Sequence, residues 1–381
     1  MTDKPRKNKS PDPDPPSALH VMPGIESSHD GMPSSSVNNN RPRAKVTPMT
    51  TEQYVDGILN GDRTIIGRAI TLVESNALPH QQQAQDVLRL LLPYAGKSIR
   101  VGITGVPGAG KSTLIEALGC RLTEQGHKVA VMAVDPSSSL TRGSILGDKT
   151  RMERLSQDSN AFIRPSPSGG ALGGVTRKSR EIIIVFEAAG YDVVLVETVG
   201  VGQSEIAVRS LVDFFLLVLI AGAGDELQGI KRGVFELADA VLVNKADGDN
   251  VQAARFSREE YERALHYLQP ATQGWLTGAY TASAATGEGI DDLWDVIERF
   301  RDITVANGEF ARRRREQVKD WLHGMVRERL RETFYSSDAV TAILPKLEQD
   351  VMNGSLPVTR AAWQLLETFE EAVRRNRRNE R

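Results

Sequence analysis

The 381-residue sequence predicts an α/β fold, a mostly parallel sheet flanked by helices, with further helical extensions at the N-terminal and C-terminal ends. Three observations carry that prediction. A glycine-rich loop, Gly105-Val106-Pro107-Gly108-Ala109-Gly110-Lys111-Ser112-Thr113, stands between an apolar run and a helical pattern. Near-continuous apolar runs recur through the middle of the chain, separated by helical segments, as in strands buried on both faces. Several polar motifs directly follow those runs, at the edge where open α/β sheets hold their ligands.

In chain order, residues 1–47 are rich in Pro, Ser, Asn and charge and almost free of periodic apolar residues, so they read as a disordered tail. No apolar segment follows their basic start, which argues against a secretory signal. Asp3, Asp12, Asp14, Glu26 and Asp30 interrupt any basic amphipathic helix of the transit-peptide kind. From 48 to 97 the period becomes helical. Ala84, Val87, Leu88 and Leu91 fall at i, i+3, i+4, i+7, and Asp62 reads as the N-cap of a helix through Ile70 and Val73. Residues 98–306 then alternate. Strands are predicted at Ile99–Thr104, at Val129–Val134 before Asp135, at Tyr191–Val196 before Glu197, within Leu211–Ile220, and at Ala240–Val243 before Asn244. Residues 307–381 are helical again, with Val318, Trp321, Leu322 and Met325 on one face and with Pro345, Gly354 and Pro357 as punctuation. The run Arg312 to Arg315 reads as a solvated helix face.

Composition narrows the function classes. With 47 basic and 49 acidic residues the net charge is −2, which gives no cause to expect bulk nucleic-acid or anionic-membrane binding. The single cysteine, Cys120, cannot form an intrachain disulfide and suits a reducing, cytoplasmic setting. Its place on the helix after the glycine-rich loop predicts a buried apolar role. The apolar run Phe214 to Ala221 is far too short to span a bilayer.

Strand, glycine-rich loop, Lys-Ser and helix together make the P-loop NTPase pattern. Glycines let backbone N–H groups converge on phosphate oxygens at a helix N-terminus. Lys111 would reach the β- and γ-phosphates, and the Ser112 hydroxyl would sit on Mg2+. Asn244-Lys245-Ala246-Asp247 selects the base. A carboxylate at Asp247 accepts from guanine N1–H and the exocyclic amine, whereas adenine offers it an acceptor at N1. Ser283-Ala284-Ala285, ahead of a further helix, fits a backbone contact to guanine O6. Asp135, Asp148 and Glu197 compete for the metal shell, and Mg2+ needs few protein ligands. The polar segments Ser137–Thr150 and Pro165–Gly174 suit switch loops or plain connections. Gln203 is the candidate for positioning the attacking water. Without a clear catalytic glutamine or arginine finger, slow intrinsic hydrolysis is expected.

These residues resemble the methylmalonyl-CoA mutase-associated GTPases, in the metal- and cofactor-chaperone branch of P-loop GTPases. The likeness runs through Gly102 to Thr113, Val134 to Ser138, Gly143 to Met152, Val196 to Glu205, Ala223 to Lys231 and Asn244 to Asn250. The resemblance implies a GTPase that assists an adenosylcobalamin-dependent acyl-CoA mutase, gates delivery of intact cofactor and protects the mutase. It also implies a homodimer formed through the 307–381 extension. Carried onto this chain, the GTP contacts are Gly105 to Thr113, Asp247 and Ser283 to Ala285, and the acidic metal and switch positions are Asp135, Asp148 and Glu197. One departure is Gly169, which stands where the family pattern has Arg. Two rival readings are a transport-linked ATPase or kinase for basic amino acids and a nickel metallochaperone GTPase. The Asn244–Asp247 motif speaks against the first. The second usually carries Cys/His clusters, and this chain has one Cys and 6 His with no close pair at ligand spacing.

Overall fold

In the computed structural model, the described residues are 49–134, 152–165, 172–198, 204–222 and 232–379. The expected disordered tail, 1–47, lies outside them. Seven strands form one sheet: β1 (Ile99–Gly105), β2 (Val129–Val134), β3 (Ala161–Pro165), β4 (Val193–Thr198), β5 (Phe214–Ile220), β6 (Ala240–Asn244) and β7 (Gly278–Thr281). Their order is β3-β2-β4-β1-β5-β6-β7, and every pairing is parallel. The five central strands are those read from apolar runs. The two unpredicted strands, β3 and β7, are the sheet's edges.

Helices cover both faces, which is why the central strands lack polar alternation. On one face α1 (Thr51–Leu59), α2 (Arg63–Glu74) and α3 (Leu78–Leu91) pack with α6 (Leu172–Ala188) and α7 (Ser204–Arg209) over Val194, Val196 and Phe215. On the other, α4 (Lys111–Glu124), α8 (Val251–Leu265) and α9 (Ile290–Ala306) cover Val101, Ile103 and Leu195. The short α5 (Glu153–Gln157) leads into β3. Local signals set the starts of the first helices. Thr50 and Gln53 form a reciprocal capping box on α1, and the Asp62 carboxylate accepts from the amides of Thr64 and Ile65, capping α2 as expected. Ala84, Val87, Leu88 and Leu91 are all buried on α3. Cys120 is buried, and desolvation raises its thiol pKa.

The C-terminal helices are α10 (Glu309–Tyr335), α11 (Asp338–Met352) and α12 (Val358–Asn379). Pro345, expected as punctuation, lies inside α11. The arginine run on α10 is only half solvated. Arg312 pairs with Glu309 and Glu316 at the surface, whereas Arg313 and Arg314 turn inward. Arg314 bonds the Asp213 carboxylate through Nε at 2.7 Å and Nη2 at 2.6 Å, and donates to the carbonyls of Gly96 and Ser98. Arg313 approaches Asp239 and Thr272, and Gln317 donates to the Val212 carbonyl at 2.8 Å. Charge spacing alone cannot separate the two halves, because the carboxylates that claim Arg313 and Arg314 sit at the starts of distant strands. Farther along α10, Val318 and Leu322 stay exposed at 58% and 59%.

Candidate functional site

Because all strands run parallel, their C-terminal ends form one edge, and the sequence motifs collect there. The loop 105–110 leaves β1 and enters α4, whose N-cap is Gly110. Two of its glycines are required sterically. Gly105 has φ 153°, and a Cβ there would overlap the Val218 carbonyl oxygen. At Gly110, with φ 82°, a Cβ would come within 2.8 Å of the Asn244 amide nitrogen. Val106 and Ala109 are buried while Pro107, Gly108 and Thr113 are exposed, so the loop rests on the core and turns one surface outward.

Lys111 folds back over the loop, donating to the carbonyls of Gly105 at 2.9 Å and Val106 at 3.2 Å. Burial lowers its pKa from the ordinary lysine value, and the Glu197 and Glu205 carboxylates oppose that shift. Among the described residues no carboxylate lies within ion-pair distance of this ammonium, so carbonyl oxygens are its partners. The arrangement is suited to an anion laid across the loop. Ser112 Oγ donates to Glu197 Oε1 at 2.8 Å, which joins two of the expected metal positions although they are far apart in sequence. Glu197 is buried at the end of β4. Two oxygen donors at a phosphate-binding loop fit Mg2+, which takes hard ligands and keeps several waters. Among the described residues, no group of three or more acidic, His or Cys side chains is arranged to hold a metal ion. The other expected metal positions, Asp135 and Asp148, and the water-positioning candidate Gln203 lie outside the described residues, as does Gly169.

The Asn244–Asp247 segment joins the same edge. Asn244, buried at the end of β6, donates through Nδ2 to the Ala109 carbonyl at 2.8 Å and accepts at Oδ1 from the Ala284 amide at 3.2 Å. One side chain therefore fixes the phosphate loop against the 283–285 loop. Ser283 Oγ donates to Asp247 Oδ2 at 2.9 Å, leaving that carboxylate half exposed with acceptor capacity to spare. Lys245 is exposed and has φ 59°, the one non-glycine residue at positive φ among those described. Asn250 stabilises that turn by donating to the Lys245 carbonyl at 2.7 Å. Ala285 is exposed beside Ala284. The structure thus brings together Gly105 to Ser112, Glu197, Asn244, Lys245, Asp247 and Ser283 to Ala285.

Sequence reasoning missed one buried pair at this edge. Thr198 Oγ1 donates to Thr104 Oγ1 at 2.9 Å, both side chains being essentially inaccessible to solvent. The available signal was a polar residue closing each of two otherwise apolar runs, next to a motif.

The family model described as methylmalonyl Co-A mutase-associated GTPase MeaB matches residues 66–339. A putative GTPase of Caulobacter vibrioides is 56% identical over 312 residues, covering 82% of this chain and 95% of that protein. The mitochondrial methylmalonic aciduria type A homolog of Mus musculus is 45% identical over 333 residues, covering 84% and 80%. GTPase ArgK of Escherichia coli is 45% identical over 293 residues, covering 77% and 88%. Among solved structures, one described as LAO/AO transport system kinase superposes with a TM-score of 0.70 at 37% identity, covering 84% of this chain and 97% of that one.

Proposed function

The chain belongs to the methylmalonyl-CoA mutase-associated GTPase family, and on that premise we propose that it is a GTP hydrolase serving as a G-protein chaperone of an adenosylcobalamin-dependent acyl-CoA mutase. In this reading it gates cofactor loading and protects the mutase, acts as a homodimer through the 307–381 extension, and works in the cytoplasm. No helix among the described residues is long and apolar enough to cross a membrane. The observation that carries the nucleotide half is the Asn244 bridge, which ties a phosphate loop to a base-selecting carboxylate on one edge of the sheet. The partner half rests on the family.

The loop amides of 105–110 and the α4 N-terminus receive the phosphates, and Lys111 moves from the Gly105 and Val106 carbonyls onto the β- and γ-phosphate oxygens. Water attacks the γ-phosphorus in line. The new P–O bond forms as the bond to the β–γ bridging oxygen breaks, that oxygen keeps the electron pair, and the attacking water's proton passes to a phosphate oxygen. Lys111 offsets the charge gathering there. Ser112 and Glu197 would hold Mg2+, which would supply further charge stabilisation when bound. Asp247, steadied by Ser283, accepts from the guanine N1–H and exocyclic amine, and Ser283 to Ala285 offer backbone donors to O6. Asp135, Asp148 and Gln203 complete the proposed set of metal and water-positioning residues. Turnover by the isolated protein is slow, and its conformational change is the output.

The experiment is GTP turnover with and without a purified adenosylcobalamin-dependent mutase, with ATP as the control nucleotide. Stimulation of GTP hydrolysis by the mutase is expected. Indifference to every such mutase would remove the chaperone reading, and hydrolysis of ATP alone would restore the transport-linked kinase.

A further inference from the structure

β1 and β4 are paired from Ile99↔Val193 to Ile103↔Glu197. Past that point each strand continues with its other neighbour. Thr104 and Gly105 pair with Leu217 and Val218 of β5, while Thr198 pairs with Val134 of β2. The two strands that carry the phosphate loop and Glu197 therefore lose their backbone ladder just where the site begins. Two side-chain hydrogen bonds bridge this place. Thr198 Oγ1 donates to Thr104 Oγ1, and Ser112 Oγ donates to Glu197 Oε1.

Consecutive residues of a strand point to opposite faces of the sheet. Glu197 takes the face of its register partner Ile103, which packs with Leu114 and Ile115 of α4. Thr198 takes the opposite face, that of Gly102, where an added Cβ would meet Val208 of α7, Val212 and Phe215. The Glu197–Thr198 peptide is thus held from both faces by residues at the two ends of the same loop, Thr104 before it and Ser112 after it. Packing does not require hydroxyls there. Thr104 and Thr198 are 1% and 0% exposed, and the neighbouring sites on these strands are filled by Val196, Ile103 and Leu195. Valine matches the shape of threonine, so the hydroxyls serve direction rather than volume.

We propose that Thr104 and Thr198 are positioning residues: their hydroxyl clasp, with the Ser112–Glu197 contact, sets the spacing between the phosphate loop and the acid of β4 and so aligns Ser112 and Glu197 for the metal–phosphate complex. The proposal rests on the GTPase reading. An error in position of about 1 Å at such a site costs up to roughly 10²-fold in rate.

The experiment compares wild type, Lys111→Ala, Thr104→Val/Thr198→Val and Thr104→Ser/Thr198→Ser. Replacing both hydroxyls by methyl groups leaves no lone buried hydroxyl, so the thermal midpoint should stay within a few degrees of wild type. We expect kcat for GTP to fall about ten-fold in the double valine variant, half-saturating Mg2+ to rise, and KM for GTP to change little. The double serine variant should recover most of the loss. In the nucleotide-free protein, amide exchange of the 193–198 segment should quicken in the valine variant and not in the serine variant. A folded valine variant with wild-type kcat, Mg2+ dependence and exchange would overturn the clasp. Wild-type turnover that survives Lys111→Ala would instead overturn the GTPase reading beneath it, and the exchange data separate the two failures.

Discussion

The two edges of the sheet are built on opposite electrostatic plans. At the N-terminal ends of the strands, Asp213 precedes β5, Asp239 precedes β6 and Glu187 lies beside β1, all nearly inaccessible to solvent. Each is answered by arginine: Arg314 on Asp213, Arg209 on Asp239 at 3.0 Å, and Arg100 on Glu187 at 2.9 Å. The same carboxylates also accept backbone amides, Asp213 from Arg100 N and Asp239 from Phe215 N. At the C-terminal edge the central cation, Lys111, faces carbonyl oxygens, and the carboxylate of Asp247 is steadied by a hydroxyl. Buried charge closed by opposite charge and hydrogen bonds makes a scaffold. Charge held by neutral partners remains available to a ligand. The difference separates an edge that holds parts together from the edge at which we propose the nucleotide binds.

Substitutions can break this contrast, and their effects should rank with it. Lys111→Ala removes the cation proposed to meet the transferring phosphate, so GTP turnover should fall by about 10³-fold or more while the thermal midpoint barely moves. A steady-state assay with a melting curve checks both halves. Asp247→Asn replaces a pure acceptor by a group that also donates. Preference should move from guanine toward xanthine by at least about 10²-fold, read from competition between GTP and XTP. At the opposite edge, Asp213→Asn leaves Arg314 without its buried counter-charge. Stability should drop by about 3 kcal/mol in urea titration, with KM for GTP in the folded protein little altered. Leu322→Asp, on the exposed face of α10, should give the smallest effect on the monomer. We expect it to shift sedimentation from dimer toward monomer without changing basal turnover, whereas an unchanged dimer would move the proposed interface elsewhere.

The same contrast explains what the sequence disclosed. Central strands such as β5 are apolar throughout because both faces are covered, so periodicity finds them. The edge strands have no such run. β3 reads Ala-Phe-Ile-Arg-Pro with Phe162, Ile163 and Arg164 half-buried, and β7 is the short Gly278–Thr281. Motifs were enough to single out residues that the fold gathers at one edge: Lys111 and Ser112 from the loop, Asp247 from the Asn244–Asp247 segment, Glu197 from a strand end. Contacts that depend on which strands become neighbours were not. Thr104 meets Thr198 only because β1 lies beside β4, and Arg314 finds Asp213 only because α10 returns under β5. No local spacing encodes strand order, so the scaffold edge and the clasp both emerge at the level of topology.

The most direct test of the central claim is equilibrium competition at the C-terminal edge. A fluorescent GDP analogue is bound in the presence of Mg2+ and displaced by GTP, ATP or XTP, with wild type and Lys111→Ala in parallel. The structure calls for displacement by GTP at far lower concentration than by ATP or XTP, and for weakened analogue binding in Lys111→Ala. Equal displacement by ATP, or binding indifferent to the loss of Lys111, would contradict the assignment of this edge as a guanine-nucleotide site.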